Sequence, residues 1–155
     1  MTETLRSREV RLVSRPVGAP VPENFAVVTT SVPEPAEGQV VVRNTWMSVD
    51  PYMRGRMNDA PSYIPPFALD AAMEGSAIGE VVASRDASIP VGATVSHFLG
   101  WREYAVVDAA GATVIDPALG RPQDYLGALG TTGLTAYAAL TRIAPVEEGD
   151  VVFVS

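Results

Sequence analysis

The side chains able to do chemistry concentrate in one stretch, VRNTWMSVDPYMRGRMND, from Val42 to Asp59. It brings together a carboxylate (Asp50), a phenol (Tyr52) and two guanidinium groups (Arg54 and Arg56). The arginines could meet a phosphate, but the i, i+4 spacing of Asp50 and Arg54 favours an ion pair along a helical turn. Glu74 sits in an apolar stretch where a carboxylate needs a partner, and Arg54 is a candidate for it. His97 is the single imidazole; a lone histidine in a hairpin reads as a half-buried polar residue rather than a ligand. With no cysteine in the chain, disulfides and thiolate metal sites are excluded. Gly127, Gly130 and Gly133 recur every third residue ahead of a helical pattern. A phosphate-binding turn would have to follow a strand, and none is convincing there, so tight packing where the two domains meet is the expected role.

What must position these groups is a strand that stops. Val40, Val41, Val42, Thr45 and Trp46 supply the β-branched and aromatic richness of a half-buried strand. Asp50-Pro51 ends it, because proline cannot donate to a ladder, with Asp50 expected as a helix N-cap and Pro51 as the first helical residue. Tyr52, Met53, Arg54 and Arg56 then fall on a short helical turn. Strands are also predicted over 8–13, 25–30, 73–85, 91–98, 100–108 and 112–117, about seven in the first 117 residues. Gly75 and Gly79 interrupt one of them, which signals a bulge, a corner or a close backbone approach. Residues 58–70 form a proline-rich loop holding Tyr63. Trp101 and Tyr104 read as core or rim residues, and Met47, Met53, Met57 and Met73 as pliable packing. So many short strands predict a small barrel or sandwich.

The pattern changes after Pro117. PQDYLGALG reads as a helical turn, residues 131–144 as a helix, and VVFVS (151–155) as a strand buried on both faces. These are the opening elements of an α/β unit. Unpaired, such a strand is expected to be disordered, tucked back or paired across a homodimer.

The 155 residues suffice for one domain with a sizeable core and a fragment of a second. A net charge of −7 argues against a nucleic-acid surface. No apolar run approaches the ~20 residues that span a bilayer, and the N-terminus lacks the features of a signal peptide. A cytoplasmic protein is the default expectation.

Several runs together carry a resemblance: SRPVGAPVPENF, SVDPYMRGRMNDAPSY, GWREYAVVD, LGTTGLTAYAAL and EEGDVVFVS. In this order they resemble the zinc-independent branch of the medium-chain dehydrogenase/reductase superfamily, nearest to bacterial NADPH-dependent curcumin reductases, alkenal double-bond reductases and prostaglandin reductases. The resemblance implies a mainly β fold: a GroES-like substrate and catalytic domain over residues 1–120. It also implies the connecting helix and first strand of a truncated Rossmann NADPH-binding domain over 121–155, with the glycine-rich phosphate loop lying beyond VVFVS.

Function follows as an expectation of the same kind. The full-length protein would be an NADP(H)-dependent oxidoreductase that reduces the C=C bond of an α,β-unsaturated carbonyl, with the 155-residue portion alone inactive. A quinone reductase of the same superfamily and a non-catalytic GroES-like binding module are the alternatives. The zinc alcohol dehydrogenases of the superfamily place a cysteine where Ser48 stands and a His-Glu pair where Met73-Glu74 stands, so no metal site is expected. The resemblance puts Tyr52 and Tyr63 at the substrate, where a phenol can donate to the developing enolate oxygen. Pro51, Tyr52, Thr131, Gly133 and Leu134 would lie beside the cofactor. No catalytic residue is assigned within this portion.

Overall fold

The computed structural model describes residues 4–154. The chain separates into two compact units, the division falling between Ile115 and Asp116.

The first unit contains seven strands among the described residues. Strands β1 (Arg6–Leu12) and β2 (Phe25–Ser31) form an antiparallel hairpin, with Arg6 opposite Ser31 and Leu12 opposite Phe25. The remaining strands are β3 (Gln39–Met47), β4 (Ala77–Ser84), β5 (Thr94–His97), β6 (Tyr104–Asp108) and β7 (Thr113–Val114). They make one antiparallel sheet in the order β6-β3-β4-β5-β7. Strand β3 is paired on both sides, which is where a continuous Val40-Val41-Val42 run belongs. Val40 and Val42 are fully buried and pack with Val81, Val95, Ala105 and Val107. The hairpin joins the sheet through the residues leading into β6: the Val10 N–H donates to the Trp101 carbonyl at 2.8 Å, and the Glu103 N–H to that of Arg8 at 2.9 Å.

The β3–β4 register slips twice, between Val41 and Val42 and between Asn44 and Trp46. Gly79 faces Asn44 there, and a Cβ on it would run into the Arg43 carbonyl and the Val42 side chain. Close backbone approach is thus the reason for this glycine. Between β3 and β4 the chain makes a single helical turn, α1 (Tyr52–Arg56). Beneath α1 lies a second apolar cluster of Leu12, Met53, Met57, Phe67 and Met73, with Tyr52 and Trp101 packed against it. Three of the four methionines read as pliable packing are therefore core residues, while Met47 is partly exposed.

The hairpin expected around His97 does not form, since β5 pairs with β4 and β7 while β6 pairs with β3; the end of β5 is tied to β3 by side chains. His97 Nε2 lies 2.8 Å from Asn44 Oδ1, and the Leu99 N–H donates to His97 Nδ1 at 3.1 Å. An imidazole that accepts at Nδ1 must carry its proton on Nε2, and must be neutral. Asn44 Nδ2 in turn donates to the carbonyls of Leu99 and Arg102. His97 is thus a structural clamp on the 97–102 loop. Burial, with the Arg102 charge second, lowers its pKa to about 4.

In the second unit a 3-10 turn over Pro122–Leu126 precedes α2 (Thr131–Ala138), which widens into a π-helical turn over Ala139–Ile143. The predicted helix is present, in two gauges. Gly130 and Gly133 leave no room for a Cβ against the carbonyls of Tyr125 and Ala128. Their close packing is local to this unit. The strand expected at VVFVS does not form: Val151–Val154 hold no regular structure and are largely exposed. A buried-type strand gains its hydrogen bonds only from neighbours, and among the described residues none pairs with it. Ser155 lies outside the described residues.

Two measurements bear on this packing. Gly79→Val is expected to cost about 3 kcal/mol or more of unfolding free energy through overpacking, read by urea denaturation. Gly111→Ala, where a Cβ meets open space, should stay within about 0.5 kcal/mol. The His97 clamp predicts acid sensitivity. The folded-state value of about 4 lies below the unfolded 6.5, so protons favour the unfolded chain. The clamp's contribution is whole above the unfolded value and fades as pH falls through it toward the folded one, by roughly 3 kcal/mol in all. His97→Gln should flatten that part of the stability–pH curve.

Candidate functional site

The site is built on the chain reversal between β3 and β4. Pro51, at φ −55° and ψ −34°, already has helical geometry and starts α1. The expected Asp50 side-chain cap does not form. The Asp50 carboxylate instead accepts from Ser48 Oγ at 2.7 Å, while its carbonyl receives the Met53 N–H at 3.1 Å. Ser48, two residues before, competes for the carboxylate within the turn.

Both arginines of the turn differ from the sequence reading. Arg54 pairs with neither Asp50 nor Glu74. Its guanidinium donates to the Gly18 carbonyl at 2.6 Å and to Asn58 Oδ1 at 2.7 Å. It fastens the segment between β1 and β2 to α1. The partner of Glu74 is Arg56, whose Nη2 lies 2.9 Å from Glu74 Oε2. Arg56 Nε donates to the Pro65 carbonyl at 2.8 Å, and the guanidinium carbon stands 4.1 Å from the centre of the Phe67 ring. The Arg56 side chain is only 5% exposed, and its Nη1 finds no hydrogen-bond partner. The reason is geometric: α1 turns residue 56 inward over Phe67 and residue 54 outward toward Gly18.

Tyr52, one turn before Arg56 on the same face, packs on the apolar cluster while its hydroxyl is buried without a partner. Burial first, then the Asp50 carboxylate and the Tyr63 phenol, raise its pKa above the ordinary phenolic value; Arg56 pulls the other way. Tyr63 stands on its loop with 86% of its surface exposed. The turn brings Pro51 and Tyr52 together with Arg56, a residue the sequence reading set aside, while Tyr63 stays on the exposed loop. The sequence signalled only that Glu74 needs a buried partner; nothing in it distinguished Arg56 from Arg54.

Trp101 completes the surroundings. It adopts φ 61°, unusual for a bulky residue, and its indole Nε1 is also buried without a partner. Tyr104 is half-buried on β6.

Thr131, Gly133 and Leu134 belong to the second unit, in the first turn of α2. Thr131 and Leu134 are exposed. The Gly133 N–H is used by the Gly127 carbonyl, and the Leu134 N–H by that of Gly130. What precedes these glycines is a 3-10 turn, which is not the strand that a pyrophosphate turn follows. Among the described residues no cluster of three or more His, Cys, Asp or Glu side chains forms a metal site. No helix among them is long and apolar enough to cross a membrane.

Known proteins align with this geometry. Residues 8–115 match the family model described as the N-terminal domain of oxidoreductase. YfmJ of Bacillus subtilis, provisionally named an NADP-dependent oxidoreductase, is 45% identical over 152 residues, covering 98% of this chain and 44% of its own length. The NADPH-dependent curcumin reductase of Escherichia coli is 40% identical over 150 residues, covering 97% and 44%. The crystal structure of CurA in complex with NADPH from Vibrio vulnificus superposes with a TM-score of 0.84 at 41% identity, over 92% of this chain and 42% of that one. The chain thus spans less than half the length of the relatives it matches. Its mainly β, GroES-like first unit, its matched residues and these relatives identify the chain as a member of the medium-chain reductase family, corresponding to the N-terminal domain of an oxidoreductase.

Proposed function

We propose that this chain is the substrate-binding side of an NADP(H)-dependent reductase acting on the C=C bond of an α,β-unsaturated carbonyl compound. Residues 1–120 form its substrate domain and residues 121–155 the start of its nucleotide-binding domain. The observation that carries this reading is the buried, unpartnered Tyr52 hydroxyl. A buried O–H without an acceptor costs about 1–3 kcal/mol, and a carbonyl oxygen brought by substrate would satisfy it. The names of the relatives, an NADPH-dependent curcumin reductase among them, support the reductase assignment.

NADPH, when bound, supplies the hydride. In this reading the first turn of α2, with Thr131, Gly133 and Leu134, meets its nicotinamide side. A strand–glycine turn–helix cradle for the pyrophosphate is not among them. Turnover therefore calls for further nucleotide-binding residues, and the 155 residues by themselves are expected to be inactive.

The remaining work falls to this chain's own groups. As hydride reaches the β-carbon of an enone, negative charge collects on the carbonyl oxygen. A preorganised donor at that oxygen lowers the barrier because the charge grows only in the transition state. Tyr52 is that donor in this reading, and its raised pKa keeps it protonated at neutral pH. Tyr63, on the exposed loop, would close over the substrate and exclude water. Pro51 fixes the turn that aims Tyr52.

The test is NADPH consumption by the full-length protein with benzylidene acetone. Tyr52→Phe is expected to lower kcat/KM about 100-fold, while Tyr63→Phe chiefly raises KM. Absence of any enone reduction by the unmutated protein would turn the assignment toward a quinone acceptor or a non-catalytic module.

A further inference from the structure

The guanidinium of Arg56 is oddly provided for. It is buried, held by Glu74 at 2.9 Å and by the Pro65 carbonyl at 2.8 Å, and laid over the Phe67 ring. Yet Nη1, with two N–H groups, has no acceptor. Glu74 meets the guanidinium through Nη2 alone. One helical turn earlier, the Tyr52 hydroxyl is in the same condition. Residues at i and i+4 on a helix share a face, and Arg56 is among the charges acting on the phenol.

We infer that Arg56 Nη1 and the Tyr52 hydroxyl form a single two-donor site for one ligand oxygen, so that Arg56 is a second group stabilising the enolate. The inference rests on the enone-reductase reading and extends it. A carbonyl oxygen has two lone pairs and can accept from both donors at once. One donor is neutral and the other cationic, so the pair discriminates most strongly in favour of an oxygen that is gaining negative charge. Glu74 and Phe67 then hold a cation that would otherwise seek water, and leave its free N–H groups over for the ligand. The site selects acceptors whose oxygen carries the charge after hydride addition, conjugated ketones and aldehydes. It gives no such advantage to alkenes activated without an oxygen, such as α,β-unsaturated nitriles.

The pairing is tested in the full-length protein by two readouts. The first is the pH titration of the Tyr52 phenol by its phenolate absorbance, assigned by its loss in Tyr52→Phe. Arg56→Met should move that titration further upward, because the charge opposing the upward shift is gone, while Arg56→Lys should keep it near the unmutated position. An unchanged titration in Arg56→Met overturns the pairing. The second is kcat/KM for benzylidene acetone. Arg56→Met is expected to lose about 100-fold, largely in kcat, and Arg56→Lys less, since charge survives but the fork does not. Glu74→Gln separates holding from donating. A loss of a few-fold there supports a donor role for Arg56. A loss as large as that of Arg56→Met would mean that the ion pair matters only as structure and would overturn the inference. Should Arg56→Met fail to fold, Arg56→Lys and Glu74→Gln carry the comparison. If the unmutated protein reduces no enone, the functional reading falls by itself, and the phenol titration still decides whether the two donors face one another.

Discussion

A guanidinium that cannot reach water sets the geometry on which the α1 site depends. Arg56 ties three segments that are distant in sequence: its own helical turn, the proline-rich loop at Pro65, and Glu74 just ahead of β4. The net stability of such a pair is small, because desolvating the guanidinium offsets much of the attraction and Glu74 remains partly in water. Its value is directional. A planar fork with one edge on a carboxylate and its face on Phe67 has very few ways to sit, and each of them fixes α1 to within a rotamer. Tyr52, carried one turn earlier, inherits that precision.

The platform under α1 depends on β3 in a similar way. Paired on both sides and filled with valines that see no solvent, it offers little freedom at its start. The register slips near Asn44 are where it reaches a neighbouring loop. There the strand turns a side-chain amide toward the 97–102 loop, and Asn44 brackets Trp101 by donating to the carbonyls of Leu99 and Arg102 on either side of it. Holding a tryptophan at φ 61° costs about 1–3 kcal/mol. The cost is sustained because the Trp101 carbonyl receives the Val10 N–H and its ring packs on the cluster beneath α1. Neutral His97 closes this network at the other end of the loop. Sheet register, loop strain and the packing around Tyr52 are therefore one mechanical chain.

The strands were legible in the sequence because their signal is local. β-branched runs bounded by proline and glycine placed all seven with boundaries only a few residues off, and Gly79 announced its close approach. The stop at Asp50-Pro51 and the turn carrying Tyr52 were equally plain. What could not be read was which side chain meets which across the fold. Asp50 and Arg54 have ideal spacing for a pair, yet Ser48 takes the carboxylate and the Gly18 carbonyl takes the arginine. Glu74 called for a buried cation, and only the three-dimensional twist of α1 chooses Arg56 over Arg54. The Asn44–His97 clamp joins residues fifty-three positions apart, beyond any periodicity argument. VVFVS shows the opposite failure. Its composition is that of a buried strand, but composition cannot supply the neighbour that makes a strand.

The distribution of unsatisfied groups gives the fold its asymmetry. Among the described residues, the buried side-chain atoms without a hydrogen-bond partner are Tyr52 Oη, Arg56 Nη1 and Trp101 Nε1. All three can donate, and all belong to residues on or against the cluster beneath α1. Around β3 and β5, by contrast, a buried histidine and its asparagine have their polar atoms in use. A core that satisfies its polar atoms in one region and leaves donors idle in another is not uniformly optimised for stability. Each idle donor is an interaction already desolvated and oriented, so an acceptor arriving there gains the bond without the reorganisation that a solvated donor would require. That is the physical difference between a surface that a substrate touches and a site that can favour its transition state.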